Sequence, residues 1–467
     1  MFEANLVYPL IYFSLATVVL WIYIHQLCFF LLAIYTARRY MHRIPDKLPK
    51  CPGVSIIKPL MGCDACLREN LLSHFTLEYP KFELLFCVQD ENDPAIDLVN
   101  SLRGEYPLVE AHIFIGGQPG IVNPMVDNMA PAYSAAKYDL VWISTSRIFV
   151  STEIMLDLVA KSLDSDVALV HQSPFFSDQP GFLGALEKVC FGCSISRNQI
   201  ALNQLGVVCF VGMSYIVKKV ILDEIGGLAY YGKYLAEDFF IANKLHSKGY
   251  RLVLSDFPAI QNVSDTNLYT YINRMVRWLR LRLRMLPVVA GVLEPLSEAV
   301  TLGIVFACSI NYLFGVPVVY LLLGHFTVWI ALDYVLLRSI QNKKLPFSIM
   351  TFLLVWICRE LLVYLVFVKA VCSPATITWG RYSYHVRLGG LTTRLPTLTK
   401  LRGTSQTSAI HSEMTNFNIH CPNVVTTNSL MNGRLPKDGT NLPSLLSNST
   451  FKCPVPKRDS NLDSVRL

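Results

Sequence analysis

Two groups of carboxylates in the sequence have the residue types and positions that proton transfer or phosphate chemistry needs. Residues 90–93 contain two aspartates directly after the apolar run 82–88, and Glu237 and Asp238 begin an apolar helical stretch. A carboxylate can take a proton from a hydroxyl group, or it can help to bind a divalent metal that contacts phosphate oxygens. Each group alone also has an ordinary explanation, either a solvated turn or the favourable charge in the first turn of a helix.

Two further groups complete an ordered set along the chain. Hydroxyl side chains at residues 144–146 follow the apolar run that begins at residue 140. The second group, Arg274-Met-Val-Arg277-Trp278, lies on a basic segment before the carboxyl-terminal apolar region. Arginines can stabilise the charge that develops on a leaving diphosphate, whereas the same spacing can also anchor a helix at a membrane surface. The ordered set between membrane anchors is much more specific than any one of its members.

The region that must position these groups, residues 50–290, alternates between short apolar runs and helical spacing. This alternation predicts a mostly parallel α/β sheet, in which ligands bind at the carboxyl ends of the strands. Lys58 and the groups at 89–93 and 144–147 stand at such ends. Gly-x-Gly-x-x-Gly after the first strand and Gly-x4-Gly-Lys-Ser/Thr are both absent, which argues against dinucleotide-binding and P-loop proteins. The predicted strands are 54–57, 82–88, 112–115, 140–144 and 167–171, and the predicted helices are 67–77, 94–106, 124–136 and 152–163.

The composition requires membrane segments in addition to this domain. Hydrophobic residues make up 52% of the 467 residues and charged residues only 16%, against about 25% charged residues in soluble domains. The net charge of +7 fits a membrane surface better than a nucleic-acid groove, so no nucleic-acid partner is expected. We predict a transmembrane anchor at 1–40, a cytosolic catalytic domain with a membrane-interface helix at 41–290, transmembrane helices at 291–373, and a polar tail at 374–467 that is disordered from about residue 395.

Basic residues after the apolar runs predict the orientation of these segments. Under the positive-inside rule, residue 40 onward and the loop at 338–344 are cytosolic, and parity then places the tail after the last span, 346–368, in the lumen. Arg359 and Glu360 inside that span are interpreted as an ion pair that faces neighbouring helices. Residues 278–287 should form an interfacial helix, and its arginines should extend to lipid phosphates. These arginines are Arg280, Arg282 and Arg284.

From about residue 48 to residue 390 the chain resembles the ceramide glucosyltransferases, a family of membrane-bound inverting glycosyltransferases of the GT-A type. The stretches that carry the resemblance are Pro52-Gly-Val-Ser-Ile-Ile-Lys58-Pro-Leu, Cys87-Val-Gln-Asp90 with Asp93-Pro-Ala-Ile-Asp97, Lys137-Tyr-Asp-Leu-Val-Trp142, Ala236-Glu-Asp238 and Arg274-x-x-Arg277-Trp278. The resemblance implies an α/β GT-A-type nucleotide-sugar-binding domain with transmembrane helices at both ends. It also implies glucose transfer from UDP-glucose to ceramide with inversion, which gives β-glucosylceramide, in a Golgi or ER/Golgi membrane.

The family motif has three separated aspartates followed by Gln/Arg-x-x-Arg-Trp. By resemblance, Asp93 takes the first place and contacts the nucleotide, and Asp238 takes the third place as the catalytic base. The last motif is expected near the diphosphate and the acceptor. A divalent metal, Mn or Mg, is also implied. The residues assigned to UDP-glucose and its diphosphate are Asp93, Lys58, Arg274, Arg277 and Trp278.

Two positions depart from the family pattern. The second aspartate, at the usual metal or diphosphate position, is replaced by Thr145, whose neutral hydroxyl cannot supply a carboxylate charge, and Met125 stands where the family usually has Lys. The leading interpretation is a UDP-glucose:ceramide β-glucosyltransferase whose activity these changes could reduce. Two alternatives stay open: a catalytically impaired paralogue that binds lipid or a partner, and a glucosyltransferase that acts on a sterol or another lipid.

Overall fold

The structure is a computed structural model that describes residues 4–45, 48, 50–264, 267–380 and 382–396. It comprises an α/β domain, a set of long apolar helices and a small carboxyl-terminal sheet. The segment for which we predicted disorder begins at about residue 395, and all but its first two residues lie outside the described residues.

The apolar runs form the strands of the α/β domain. These are β1 (Val54–Leu60), β2 (Phe82–Val88), β3 (Ala111–Ile115), β4 (Leu140–Ser144), β5 (Ile148–Phe149), β6 (Val167–His171), β7 (Pro174–Phe176), β8 (Ser214–Lys218), β9 (Arg251–Leu254) and β10 (Ala259–Gln261). The central sheet has the order β3-β2-β1-β4-β8-β6-β9, and only β8 is antiparallel to its neighbours. Strands β5, β10 and β7 form a second sheet. The predicted, mostly parallel α/β class is confirmed.

Helices cover both faces of the central sheet, which is why its inner strands are buried along nearly their whole length. Helix α4 (Pro124–Ala135) shows how the sequence fixes a helix start. The Asn123 side chain accepts hydrogen bonds from the Met125 and Val126 amides, and Pro124 occupies the first turn. Helix α1 (Ala4–Tyr40) precedes the domain. The domain helices are α2 (Leu67–Phe75), α3 (Ala95–Glu105), α4 (Pro124–Ala135), α5 (Thr152–Ser162), α6 (Gly181–Cys190), α7 (Ser196–Gln204), α8 (Lys219–Glu224), α9 (Gly227–Tyr230) and α10 (Glu237–Ser247).

The remaining helices include those that can cross a membrane. They are α11 (Leu268–Met285), α12 (Glu294–Ser297), α13 (Ala299–Phe314), α14 (Val318–Gln341) and α15 (Ile349–Val371). Within the described residues, three helices are long and apolar enough to span, namely Leu10–Tyr40, α14 and α15, and the bent pair Val289–Ser297 and Ala299–Phe314, at 71°, could add a fourth. Gly315 adopts a φ of 69° at the end of α13, which allows a tight turn into α14.

The charged pair inside α15 has partners. The Arg359 guanidinium lies 2.9 Å from the Glu298 carboxylate, and it also bonds the adjacent Glu360. Both residues of α15 are almost completely buried, at 4% and 2% exposure. The interpretation of an ion pair directed at neighbouring helices is confirmed, and the pairing offsets the cost of removing these charges from water.

A three-stranded antiparallel sheet follows α15, in a region that the sequence assigned to the polar tail and for which no strand was predicted. Its strands are β11 (Thr376–Trp379), β12 (Tyr382–Val386) and β13 (Thr392–Arg394). Ile377, Tyr384 and Val386 pack with Leu281 of α11 and Leu235 of the α/β domain. The carboxyl-terminal sheet therefore closes onto the α/β domain across α11.

The arginines of α11 fasten this sheet. Arg280 donates to the Thr376 carbonyl at 3.0 Å, and Arg284 donates to the Val386 carbonyl at 2.9 Å. Arg282 pairs with a carboxylate of α12 at 2.8 Å. The prediction that these side chains extend to lipid phosphates is therefore corrected: their guanidinium groups contact neighbouring parts of the chain. Residues 278–285 do form the predicted helix, as the second half of α11.

Both ends of α15 lie near the α/β domain. Gln341, at the end of α14, accepts from Lys188 of α6 at 2.9 Å, and the Lys369 carbonyl near the end of α15 accepts from Arg280 at 3.0 Å. The seven residues between α14 and α15 reach at most about 25 Å, less than the hydrocarbon core of about 30 Å. Helix α15 thus begins and ends on the same side of the apolar helices.

Candidate active site

Four hydrogen bonds from the domain interior hold the turn after β4, one to each of four consecutive carbonyls. Lys58 Nζ donates to the carbonyls of residues 145 and 148 at 3.0 and 3.2 Å. Asn70 donates to the carbonyl of residue 146 at 3.2 Å, and the Asn262 amide donates to that of residue 147 at 2.8 Å. Because every carbonyl of the turn has a partner, the backbone that carries Thr145 is held in one geometry.

Lys58 has a different place from the one that the sequence suggested. Its side chain is 1% exposed, and its ammonium faces His74 at 3.3 Å as well as the carbonyls of the turn. Burial lowers the pKa of this ammonium well below its usual value. We infer a positioning role for Lys58, which supports the turn that bears Thr145. Its direct contact with a diphosphate stays a prediction.

Asp238 is anchored at the start of α10. One carboxylate oxygen accepts from the Gly212 amide at 2.8 Å, and the other accepts from the Phe239 amide at 2.8 Å. Burial raises the pKa of this carboxyl, although these hydrogen bonds partly oppose the shift. The residue after Gly212 is Met213, and its carbonyl accepts a hydrogen bond from the Thr145 amide at 3.1 Å. A two-residue segment therefore connects the predicted base to the turn after β4.

Glu237, next to Asp238, points into the interior. It is 3% exposed, and it accepts from Asn123 at 2.5 Å. Burial, together with the charge of Asp238, raises the pKa of Glu237 to about 8. Adjacent carboxyl groups thus have different environments, and Asp238 is the more exposed of the two. This difference assigns a structural role to Glu237 and leaves Asp238 available for chemistry.

The arginine motif lies on α11, as predicted. Arg274 forms an ion pair with Glu187 of α6, and its Nε is buried without a hydrogen-bond partner among the described residues. The Trp278 ring packs edge-on against Phe191, with centroids 6.1 Å apart. The indole therefore fixes α11 against α6 and the π-helical turn that follows it, a contact that the sequence did not reveal.

A third guanidinium group, that of Arg147, lies within electrostatic reach of Arg274 and Arg277. Arg277 stacks over the Trp379 ring of the carboxyl-terminal sheet at 5.2 Å. Partial burial, with the charges of Arg274 and Arg147, lowers the pKa of Arg277 to about 10. Arg147 was recognised only as part of a polar strand end. Its position two residues after Thr145 was the available signal.

Asp93 lies at the same edge of the sheet, in the loop after β2. Its carboxylate accepts from the Gly62 amide at 2.8 and 3.1 Å and from the Ala95 amide at 2.9 Å. It therefore braces the loop after β1 against the start of α3. Its contact with a nucleotide stays a prediction.

The residues near Thr145 do not suit a divalent metal ion. Such ions prefer several carboxylate oxygens, whereas Arg147 and Arg277 place two guanidinium groups here. The carboxylates within electrostatic reach of Arg147 are Asp64 and Glu187, and Glu187 is already paired with Arg274. One group with metal-like spacing occurs among the described residues, formed by Glu83, Glu110 and His112. It lies at the amino ends of β2 and β3, opposite the site, and Lys137 already pairs with Glu110. Among the residues that the structure describes, no carboxylate set with metal-like spacing therefore lies at the predicted position.

An apolar segment, residues 205–211, leads to the anchor of Asp238. Leu205 and Val207 are 55% and 50% exposed. The segment begins at the end of α7, which packs against α1, and Cys209 lies within electrostatic reach of Arg282 on α11. The residue that follows the segment is Gly212, whose amide donates a hydrogen bond to the Asp238 carboxylate. Exposed apolar side chains thus lie between the long helices and the candidate base.

Comparisons with known proteins identify the family of this chain. The profile described as "Glycosyl transferase family 21" matches residues 18–392. Two relatives from Caenorhabditis elegans are ceramide glucosyltransferase 3, 40% identical over 79% of this chain and 81% of its own length, and ceramide glucosyltransferase 1, 42% identical over 79% and 78%. A solved mannosyltransferase of Pyrobaculum calidifontis, in complex with GDP-Man and Mn2+, aligns over 71% of this chain and all of its own with a TM-score of 0.45 and 16% identity. Because the family profile covers most of the sequence, the chain belongs to glycosyl transferase family 21 and is a glycosyltransferase.

Proposed function

We propose that this membrane glycosyltransferase transfers glucose from UDP-glucose to the primary hydroxyl of ceramide, with inversion, to give β-glucosylceramide. The proposal is supported by relatives named ceramide glucosyltransferase and by long apolar helices that pack against the α/β domain. The observation that carries it is the anchored Asp238 carboxylate, which stands where an exposed apolar segment meets the carboxyl edge of the sheet.

In this reaction Asp238 takes the proton of the acceptor hydroxyl while that oxygen attacks C1 of glucose. The bond from C1 to the β-phosphate oxygen breaks, and its electron pair stays with UDP. Attack from the face opposite the leaving group converts an α-linked donor into a β-glucoside. The raised pKa of Asp238 improves its ability to accept the proton, because a more basic carboxylate is a better base.

We further propose that the α/β domain faces the cytosol from a Golgi membrane. His42, just after α1, bonds both Asp256 of the domain and the Ile340 carbonyl of α14, each at 2.7 Å. The basic ends of α1 and α14 thus lie beside the domain, as expected if that side is cytosolic. Placement in the Golgi rests on the family resemblance, and fluorescence co-localisation of the tagged protein with Golgi markers tests it.

The deciding experiment supplies labelled UDP-glucose to the full-length protein in nanodiscs with ceramide, a sterol or another lipid alcohol. The expected result is a β-glucosidase-sensitive product from ceramide, which Asp238→Asn abolishes. A product from the sterol alone would favour the alternative acceptor. Binding of both UDP and ceramide without any transfer would favour the impaired paralogue. This alternative is based on Thr145, which replaces the second aspartate of the family motif.

A further inference from the structure

The turn after β4 is organised as a binding turn although it lacks the carboxylate of its family. Its four carbonyls all accept hydrogen bonds from the domain interior. Arg147 has exposed surface, although the surrounding protein partly desolvates its guanidinium group. Within the described residues, it forms no salt bridge and no side-chain hydrogen bond. The held turn therefore presents a guanidinium group that has no salt-bridge partner among the described residues.

The groups opposite this turn carry an excess of positive charge. Arg274 has one carboxylate partner, Glu187, whereas Arg277 has only the ring of Trp379 among the described residues. The turn lies beside the arginine motif, because the Asn262 amide holds the Arg147 carbonyl and the next residue, Val263, packs in one cluster with Met275 and Trp278 of α11. In agreement with this placement, neighbouring arginines lower the pKa of Arg147 and of Arg277, after the larger effect of desolvation. Such a cluster is stabilised when an anion lies between its members.

We propose that Arg147, together with Arg274 and Arg277, binds the diphosphate of the sugar nucleotide without a metal ion. Arginine can donate two parallel hydrogen bonds to a phosphate, and its charge does not depend on pH in the working range. The guanidinium groups then stabilise the charge that the departing UDP gains, which is the task of a metal in related chemistry. This inference rests on the proposed donor, and it names the groups that replace the missing carboxylate at Thr145.

The test measures binding of UDP and of uridine to the full-length protein in nanodiscs, with and without EDTA. The native protein should bind UDP equally well in both conditions. Arg147→Gln should weaken UDP binding by about tenfold or more, the effect of losing one charge-assisted contact. Uridine has no phosphate, so its binding should not change. Arg103→Gln, on the exposed surface of α3, is the matched control.

Arg147→Lys should recover part of the affinity for UDP. If Arg147→Gln does not fold, this lysine variant still tests the inference. Unchanged UDP affinity in Arg147→Gln, or loss of native UDP binding in EDTA, would overturn the inference. Neither result bears on the acceptor. Conversely, Arg147-dependent UDP binding in a protein that transfers nothing to ceramide would support this site while contradicting the proposed function.

Discussion

The Asp238 carboxylate and the Thr145 amide are held by adjacent residues of one segment. Gly212 donates to Asp238, and the carbonyl of Met213 accepts from Thr145. Consecutive Cα atoms are about 3.8 Å apart, so any movement of this segment shifts the base and the phosphate-side turn together. Movement at the proposed acceptor side of the site is thus expected to shift the proposed donor side as well.

Asp238→Asn should lower turnover by about 100-fold or more, because the amide keeps the shape of the side chain but cannot accept the proton. UDP affinity should stay close to native. Asp97→Asn, an exposed aspartate of α3, is the matched control and should retain turnover. Steady-state transfer rates and UDP titration measure the two effects. Normal turnover in Asp238→Asn would move the base to another residue.

The rate of transfer should rise with pH through the pKa of Asp238. Because burial raises this pKa above the ordinary 3.8, the base is protonated, and inactive, at pH values below the raised pKa. The pH profile of kcat should therefore show an acidic limb that lies above pH 3.8. A profile without an acidic limb would contradict proton transfer to this carboxylate.

Glu237 should make the protein less stable as pH rises. Its pKa is about 8 in the folded state against 4.5 for an ordinary glutamate, so the folded protein holds more protons in this window and loses stability across it. Glu237→Gln should flatten the dependence of the melting temperature on pH between these values. Glu237→Ala removes the partner of Asn123 and should cost about 1–3 kcal/mol. An unchanged pH dependence in the glutamine variant would contradict a buried neutral carboxyl.

Thr145→Asp should make UDP binding and turnover depend on a divalent metal ion. A new carboxylate beside the arginine cluster would pair with a guanidinium and weaken UDP binding in EDTA. Mn2+ should restore binding and turnover by neutralising that carboxylate and contacting the diphosphate. Calorimetric titration with and without Mn2+ compares the two forms, and Thr145→Asn provides a neutral control. Strong stimulation of the native protein by Mn2+ would contradict this prediction.

Helix α15 should not cross the membrane, because its ends both lie near the α/β domain. Single cysteines at Ser373, after α15, and at Val316, in the α13–α14 turn, can be labelled with an impermeant maleimide in sealed cytosol-out vesicles. Ser373→Cys should react at once, whereas Val316→Cys should react only after permeabilisation. Protection of Ser373→Cys would restore the predicted lumenal side. The background for both variants has all thirteen native cysteines replaced by serine or alanine.

The strands and the motif positions could be predicted because local signals determine them. The run 82–88 became β2 and the run 140–144 became β4 without change of boundaries, since continuous apolar runs indicate strands that are buried on both faces. Arg274 and Arg277 were singled out by their spacing and by the family resemblance, and their contact with a diphosphate stays a prediction.

The contacts of Lys58 and Arg147 could not be predicted in the same way. Lys58 stands at the end of a strand, where a ligand contact is expected, but its partners are carbonyls about 90 residues later in the chain. The carboxyl-terminal sheet was missed because its three short strands are stabilised by packing on α11, to which no local pattern in 376–394 points. Long-range pairing decided these features.

The exposed apolar segment 205–211 has a consequence for how the acceptor is found. If Leu205 and Val207 touch the bilayer, a lipid can slide from the leaflet to Asp238 without passing through water. The encounter is then a search in two dimensions. The rate should follow the mole fraction of acceptor in the membrane and should change little when inert lipid and acceptor are diluted together in bulk.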